Sequence, residues 1–313
     1  MHLRPSTPRP RSGERVDIAF HDYAASFASV GATLRSLSFA GRDLVVPFDA
    51  DGIRPYYRGA VLAPWPNRVV DGRYTSADGA PQQLALTEPT RGHALHGLTP
   101  WLDFAIAERT ETSVSFAATV PAQAGYPHEV AVLAEFHLDS SGLHCRISAR
   151  NDDVADAPIG LSMHPYLVAG PGLVDDWTLE MTAATVLDAD ERLTPTGLHP
   201  VESQGFSQFD FRSARRIADL ELDHAFTDLH AAGGEHVARV LAADGTGVEL
   251  RWDLGGTWLQ VHTADLPADP PNHRVGLAVE PMTCAPDAFN SDLAGVLVTP
   301  GESISLSFSI SAV

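Results

Sequence analysis

The chain has 313 residues, 44% of them hydrophobic, and a formal net charge of -19 from 40 acidic against 21 basic residues. That length supports a large core, and large all-β sandwiches or barrels hold ~200–250 residues or more in one domain. An acidic chain with no basic face sets nucleic-acid binding aside. Every basic residue is arginine, so Schiff-base, pyridoxal-phosphate and P-loop chemistry lack their lysine.

Residues 1–15 are basic and rich in Pro and Ser, with no apolar stretch of the kind a secretory signal carries. They are expected to form a disordered tail ahead of a single β-sandwich catalytic domain over 16–313. No run is long enough to span a membrane, and a cytoplasmic protein is expected.

Alternation of apolar and polar residues predicts strands at 16–20, 25–30 and 33–39, with a tight hairpin at Ala40-Gly41-Arg42 leading into 43–46. Residues 58–66 form an apolar run that ends in Pro64-Trp65-Pro66, too Pro-rich for a helix. Further strands are predicted at 113–118, 129–138, 143–150, 178–187, 237–241, 248–254 and 258–263. Residues 303–310 alternate strictly, with serine on the open face. Only 213–220 reads as weakly helical. No fixed-period repeat is present, so the pattern predicts an all-β sandwich or barrel and neither a propeller nor a solenoid.

Cys145 and Cys284 cannot make a disulfide framework in so long a chain. Cys145 sits in an alternating run as a small inward hydrophobe. Cys284 lacks a His and Asn/Asp partner at nucleophile spacing.

Polar groups cluster where strands end. Asn67-Arg68 follows the Pro-rich run; an arginine there either holds a carboxylate or sugar hydroxyls with its fork or lies on the surface. Gly92-His93-Ala94-Leu95-His96-Gly97 puts two histidines three apart in a glycine-flanked loop without an acid at zinc-ligand spacing. His164 ends an apolar run and is aimed by Pro165. Asp223 interrupts an apolar stretch, and Gln260 and His262 share one face of a strand. The run Val275 to Val279 reads as a buried strand that Glu280 closes. A carboxylate there is either paired in a structural network or desolvated, with its pKa raised towards useful basicity. Asp287, after Pro286, is placed to cap a turn or short helix.

These segments together resemble the aldose 1-epimerase (galactose mutarotase) family over essentially all of 16–313. The resemblance rests on Gly31-Ala32-Thr33-Leu34, APWPNR, HALHG, HPY, LDHAF and VEP…PDAFN in the family's order. It implies a large antiparallel β-supersandwich and a monosaccharide substrate, with Glu280 as general base and His164 as general acid. Asn67, Arg68, His96, Tyr166, Asp223 and Gln260 would hold the sugar. It implies no cofactor and no metal, and a monomer or homodimer. Met163 stands where galactose-type members carry Asn, Pro165 follows the histidine, Ala94 replaces a second histidine and Met282 replaces a common Gln. These departures keep the acid and base and place the chain nearer a bacterial branch whose substrates are less defined.

The implied activity is interconversion of the α and β anomers of a free or modified hexose. Three other readings stand beside it. A hexose-phosphate epimerase would need a cationic pocket from residues such as Arg73, Arg91 or Arg274. A non-catalytic module would keep the sugar cleft without turnover. A cupin-like metal enzyme would use His93, His96, His164 and Glu280.

Overall fold

The segment Val130–Asp139 buries alternate residues along its length, as a strand with one face on a core must. The computed structural model describes residues 9–313, and strands supply nearly all of the regular structure. The large antiparallel β-sandwich that the sequence predicts is present. A nine-stranded antiparallel sheet runs Ala105–Arg109, Ser113–Val120, Val130–Asp139, Gly142–Asn151, Ser303–Ala312, Gly247–Trp252, His236–Leu241, Thr178–Met181, Arg215–Arg216 in spatial order. An eight-stranded sheet runs Pro195–Pro200, Ala183–Ala189, Asp223–Leu229, Trp258–His262, Leu277–Met282, Ser162–Met163, Val61–Leu62, and Tyr166–Leu167 also pairs with Leu277–Met282. A four-stranded sheet, Arg15–Phe20 to Arg42–Asp43, packs on the nine-stranded one, where the rings of Phe27 and Phe136 are 4.5 Å apart. One continuous apolar cluster joins all three sheets, among them Phe27, Phe116, Phe136, Leu250, Leu259 and Val279. Cys145 lies inside this core. No helix among the described residues is long and apolar enough to cross a membrane.

Three expectations need correction. The strand predicted at 178–187 is two strands. Thr178–Met181 belongs to the nine-stranded sheet and, past Thr182, Ala183–Ala189 belongs to the eight-stranded one. Both halves bury alternate residues, so local pattern does not register the change of sheet. The weakly helical 213–220 instead contributes the edge strand Arg215–Arg216, paired with Thr178 and Leu179, and buries Ile217. Its pattern was too short to separate the two periods, and pairing decided the outcome.

The expected tail is the third. Residues 1–8 lie outside the described residues. Within 9–15, however, Arg9 donates to Ser29 Oγ and to both carboxylate oxygens of Asp103, Ser12 is buried, and the strand Arg15–Phe20 has begun. The packed chain therefore starts before residue 16.

Candidate active site

All six residues of Leu277–Met282 are buried, so this strand is covered on both faces. Alternation sends Leu277 and Val279 into the main core and Glu280 to the opposite side. Register then assembles its neighbours. Gln260 pairs with Glu280, Asp223 pairs with His262, and Gln260 Nε2 donates to Asp223 Oδ1 at 2.7 Å.

His164 reaches the same place from the segment that joins two short strands of this sheet. Its backbone N–H donates to Ala60 O at 3.1 Å and its carbonyl accepts from Gly59 N at 2.7 Å. Its Nε2 lies 3.4 Å from Glu280 Oε1. Tyr166 stacks on the imidazole with centroids 5.0 Å apart and planes 9° from parallel, and the Arg58 guanidinium lies 5.4 Å from the Tyr166 ring.

Arg68 and His96 arrive together on a two-stranded ribbon in which Arg68 pairs with Leu95. Asn67 takes a left-handed conformation, which asparagine tolerates, and its side chain turns back on Arg68. Its backbone N–H donates to His96 Nδ1 at 3.2 Å, which leaves the ring proton of neutral His96 on Nε2. Gly97 has a φ of 74°, and a Cβ there would stand 2.1 Å from the Ala63 carbonyl oxygen. Only glycine permits that approach, which brings the ribbon against the sheet. His96 then lies edge-on to His164 with centroids 5.1 Å apart.

Electrostatics oppose one another across this cluster. Burial pushes the Glu280 carboxyl well above the ordinary carboxylate range; Asp223 adds to the rise and Arg68 pulls it back. Burial and then His262 push the His164 imidazole down to about 3, with Asp223 working the other way. Desolvation thus favours the neutral pair, carboxylic acid and imidazole; Arg68 favours the carboxylate, whereas Asp223 favours protonation of both groups, the imidazolium included. The neutral pair and the carboxylate–imidazolium pair each hold one proton, so the two groups titrate as a unit. His96 is held neutral by burial, with His164 and Arg68 adding to the effect.

The structure therefore brings together Arg68, His96, His164, Tyr166, Asp223, Gln260 and Glu280, with Asn67 serving the ribbon beneath them. It separates the other sequence candidates. His93 is fully buried; its Nδ1 accepts from Asp71 N and its Nε2 donates to Arg192 O, so it has no nitrogen free for a metal. Arg73, Arg91 and Arg274 do not converge. Arg274 is buried between Asp175 and Asp265, Arg91 pairs with Glu88, and Arg73 is exposed and bonded to Gln83. Asp287 does not cap its helix Ala288–Ser291. Its carboxylate accepts from Val70 N at 2.9 Å and so ties that helix to the Arg68 strand. Cys284 is buried, which pushes its thiol up to about 12 and leaves it protonated.

Two residues at the site escaped the sequence reading. Glu88 holds Arg68 through two hydrogen bonds, and Tyr57 packs edge-on against His96 with centroids 4.8 Å apart. A hydrophobic alternation pattern carries no trace of either contact. A groove of about 720 Å³ lies on the outer face of the nine-stranded sheet, lined by serines and by charged residues of both signs, among them Glu135, Arg146, Glu249 and Arg251. It contains none of the groups above, so room alone does not locate the chemistry. A tight space of about 20 Å³ among Asn67, Arg68, Leu187, Asp223 and Gln260 lies at the cluster; neither Glu280 nor His164 lines it.

The fold is a β-sandwich of the mutarotase type, and the chain belongs to the aldose 1-epimerase family, whose model matches residues 15–311. It is 35% identical to the uncharacterized protein YihR of Escherichia coli K12 over 303 residues, covering 96% of this chain and 93% of that one. Among solved structures, a GalM/aldose epimerase homologue from C. elegans superposes with a TM-score of 0.83 at 21% identity, covering 96% of this chain and 98% of that one. A galactose 1-epimerase from Lactobacillus acidophilus gives 0.80 at 18% identity, covering 98% and 97%. At such identities these structures bear on the fold alone.

Proposed function

We propose that the protein is a mutarotase that interconverts the α and β anomers of a free or modified hexose, with Glu280 and His164 as the proton-transferring pair. The observation that carries this reading is the 3.4 Å approach of Glu280 Oε1 to His164 Nε2 within a ring of hydrogen-bonding groups. Family membership supports epimerase-type chemistry in general.

The residue types suit the reaction. Glu280 as carboxylate takes the proton of the anomeric hydroxyl while His164 as imidazolium gives one to the ring oxygen. The bond from C1 to the ring oxygen breaks and leaves the open aldehyde. Rotation about C1–C2 presents the other carbonyl face, and reversal of both transfers closes the ring. The pair gains one proton and loses one in each half, so it returns to its starting state. Each positioned proton transfer is worth about 10²–10⁴-fold. Arg68, which favours the Glu280 carboxylate, and Asp223, which favours the His164 imidazolium, each prepare one member of the pair for the first transfer. His96, with its proton on Nε2, supplies a hydrogen-bond donor; Asp223 supplies an acceptor.

Polarimetry of freshly dissolved α-sugars, over a panel of neutral aldoses and acidic sugars, tests the reading. Catalysed approach to the anomeric equilibrium is expected for at least one. No acceleration with any of them would reject it.

A further inference from the structure

An arginine has five N–H bonds in a fixed fork, and at Arg68 the structure shows how most are committed. Nε and Nη2 donate to the two carboxylate oxygens of Glu88 at 2.8 and 3.0 Å, and Nη1 donates to Asn67 Oδ1 at 3.3 Å. What remains is the end of the guanidinium, where Nη2 stands 3.9 Å from Asp223 Oδ2, beyond hydrogen-bond distance. Both partners of the Arg68–Glu88 pair are shielded, with side chains 8% and 11% exposed. Glu88 is itself braced. Arg91 donates to it at 2.8 Å, and its backbone N–H and carbonyl close a loop with His93 and Gly92. His93 in turn is anchored at both ring nitrogens.

We propose that Glu88 is a positioning residue of the site: it grips the Nε edge of Arg68, turns the two free N–H bonds at the guanidinium's end towards the substrate, and offsets part of the positive charge beside Glu280. The substrate half of this proposal rests on the mutarotase reading, and the electrostatic half does not. The other titratable and charged groups around the pair are His164 and Tyr166 from the neighbouring segment, Arg54 and Arg58 from the segment against them, His96 from the ribbon, and Asp223 and His262 from the adjacent strands. None of these contacts Glu88 by hydrogen bond or ion pair; of the two arginines that do, Arg91 has a side chain 41% exposed and Arg68 is the one whose charge acts on Glu280.

The test is the NMR titration of the Glu280 carboxyl carbon in protein carrying ¹³C-labelled glutamate, with Glu280→Gln to assign the signal. Glu88→Gln keeps the shape and removes the charge. Arg68 is then less neutralised, and Glu280 should titrate lower by about 0.5–1 unit, a roughly three- to tenfold stronger acid. An unchanged or raised titration would overturn the proposal. Glu88→Asp keeps the charge but is too short to reach both nitrogens. It should leave the Glu280 titration near wild type and raise KM more than it lowers kcat on any sugar the enzyme turns over; a Glu280 titration as low as that of the Gln variant would count against the proposal. In the unaltered protein the Arg68 Nε–H should exchange slowly with solvent, and fast exchange would refute the grip without any variant. If wild type anomerises no sugar while Glu88→Gln still lowers the Glu280 titration, the mutarotase reading falls and the electrostatic role of Glu88 stands.

Discussion

His164 Nε2 and Glu280 Oε1 stand 3.4 Å apart, although 116 positions separate the two residues in the chain. Glu280 is 1% exposed, and its Oε2 has no partner among the described residues; neither has His164 Nδ1. Buried polar atoms without partners destabilise a fold, and such strain is retained where chemistry needs it. Glu280→Gln should therefore separate stability from activity. Turnover should fall at least about 10²-fold while sugar affinity is kept, and the melting temperature should hold or rise because the desolvated ionisable group is gone. NMR anomer exchange, a binding titration and a thermal melt read the three outcomes; unchanged turnover would reject Glu280 as the base.

Stability should carry the signature of the same pair. The folded-state pKa of His164 is depressed to about 3, against an ordinary value of ~6.5. The unfolded chain therefore binds the proton first as pH falls, and stability is lost between about pH 6.5 and 3. Glu280 is raised, so its contribution is fully present below its unfolded value of ~4.3 and is lost as pH rises through the higher folded value. Denaturant melts across pH should show a shallower acid-side decline for His164→Asn than for wild type. Equal declines would show that His164 does not titrate in this way.

Arg68→Lys should weaken sugar binding sharply, because an ammonium cannot keep two parallel bonds to Glu88 and also present a planar end to the cleft. Arg68→Ala leaves Glu88 nearly buried with only Arg91 beside it, and should cost about 3–5 kcal/mol of stability. Denaturant unfolding of both variants checks this; a loss below about 1 kcal/mol in the alanine variant would mean the pair is effectively solvated.

Gly97→Ala should lower stability by about 2–4 kcal/mol, combining a left-handed backbone with a collision against the Ala63 carbonyl. Because the collision would push the ribbon away from the sheet, His96 should be displaced and activity should fall with it. A variant as stable and active as wild type would show that the ribbon is free to shift.

Much of this was legible from the residues. Strict alternation over 303–310 predicts the strand Ser303–Ala312, since one face meets the core and the other meets solvent. Glu280 stands out because a carboxylate that closes an apolar run is either paired or desolvated, and here it is buried. What escaped has a common physical origin in pairings between distant segments. Glu88 meets Arg68 across 20 positions that hold only short strands, with no sustained periodicity to mark it. The crossing at Thr182 leaves the apolar rhythm intact, and Arg215–Arg216 becomes a strand only because an edge was waiting for it.

The strand Ser303–Ala312 lies between Gly142–Asn151 and Gly247–Trp252, in the middle of the nine-stranded sheet. Its neighbour on one side is made about 150 residues earlier, so the two halves of that sheet have no shared edge until the ribosome has released residues 303–312. During synthesis the nascent chain must keep two sticky strand edges apart from other chains. Deleting this segment should send the protein to the insoluble fraction rather than leave a trimmed but folded sandwich.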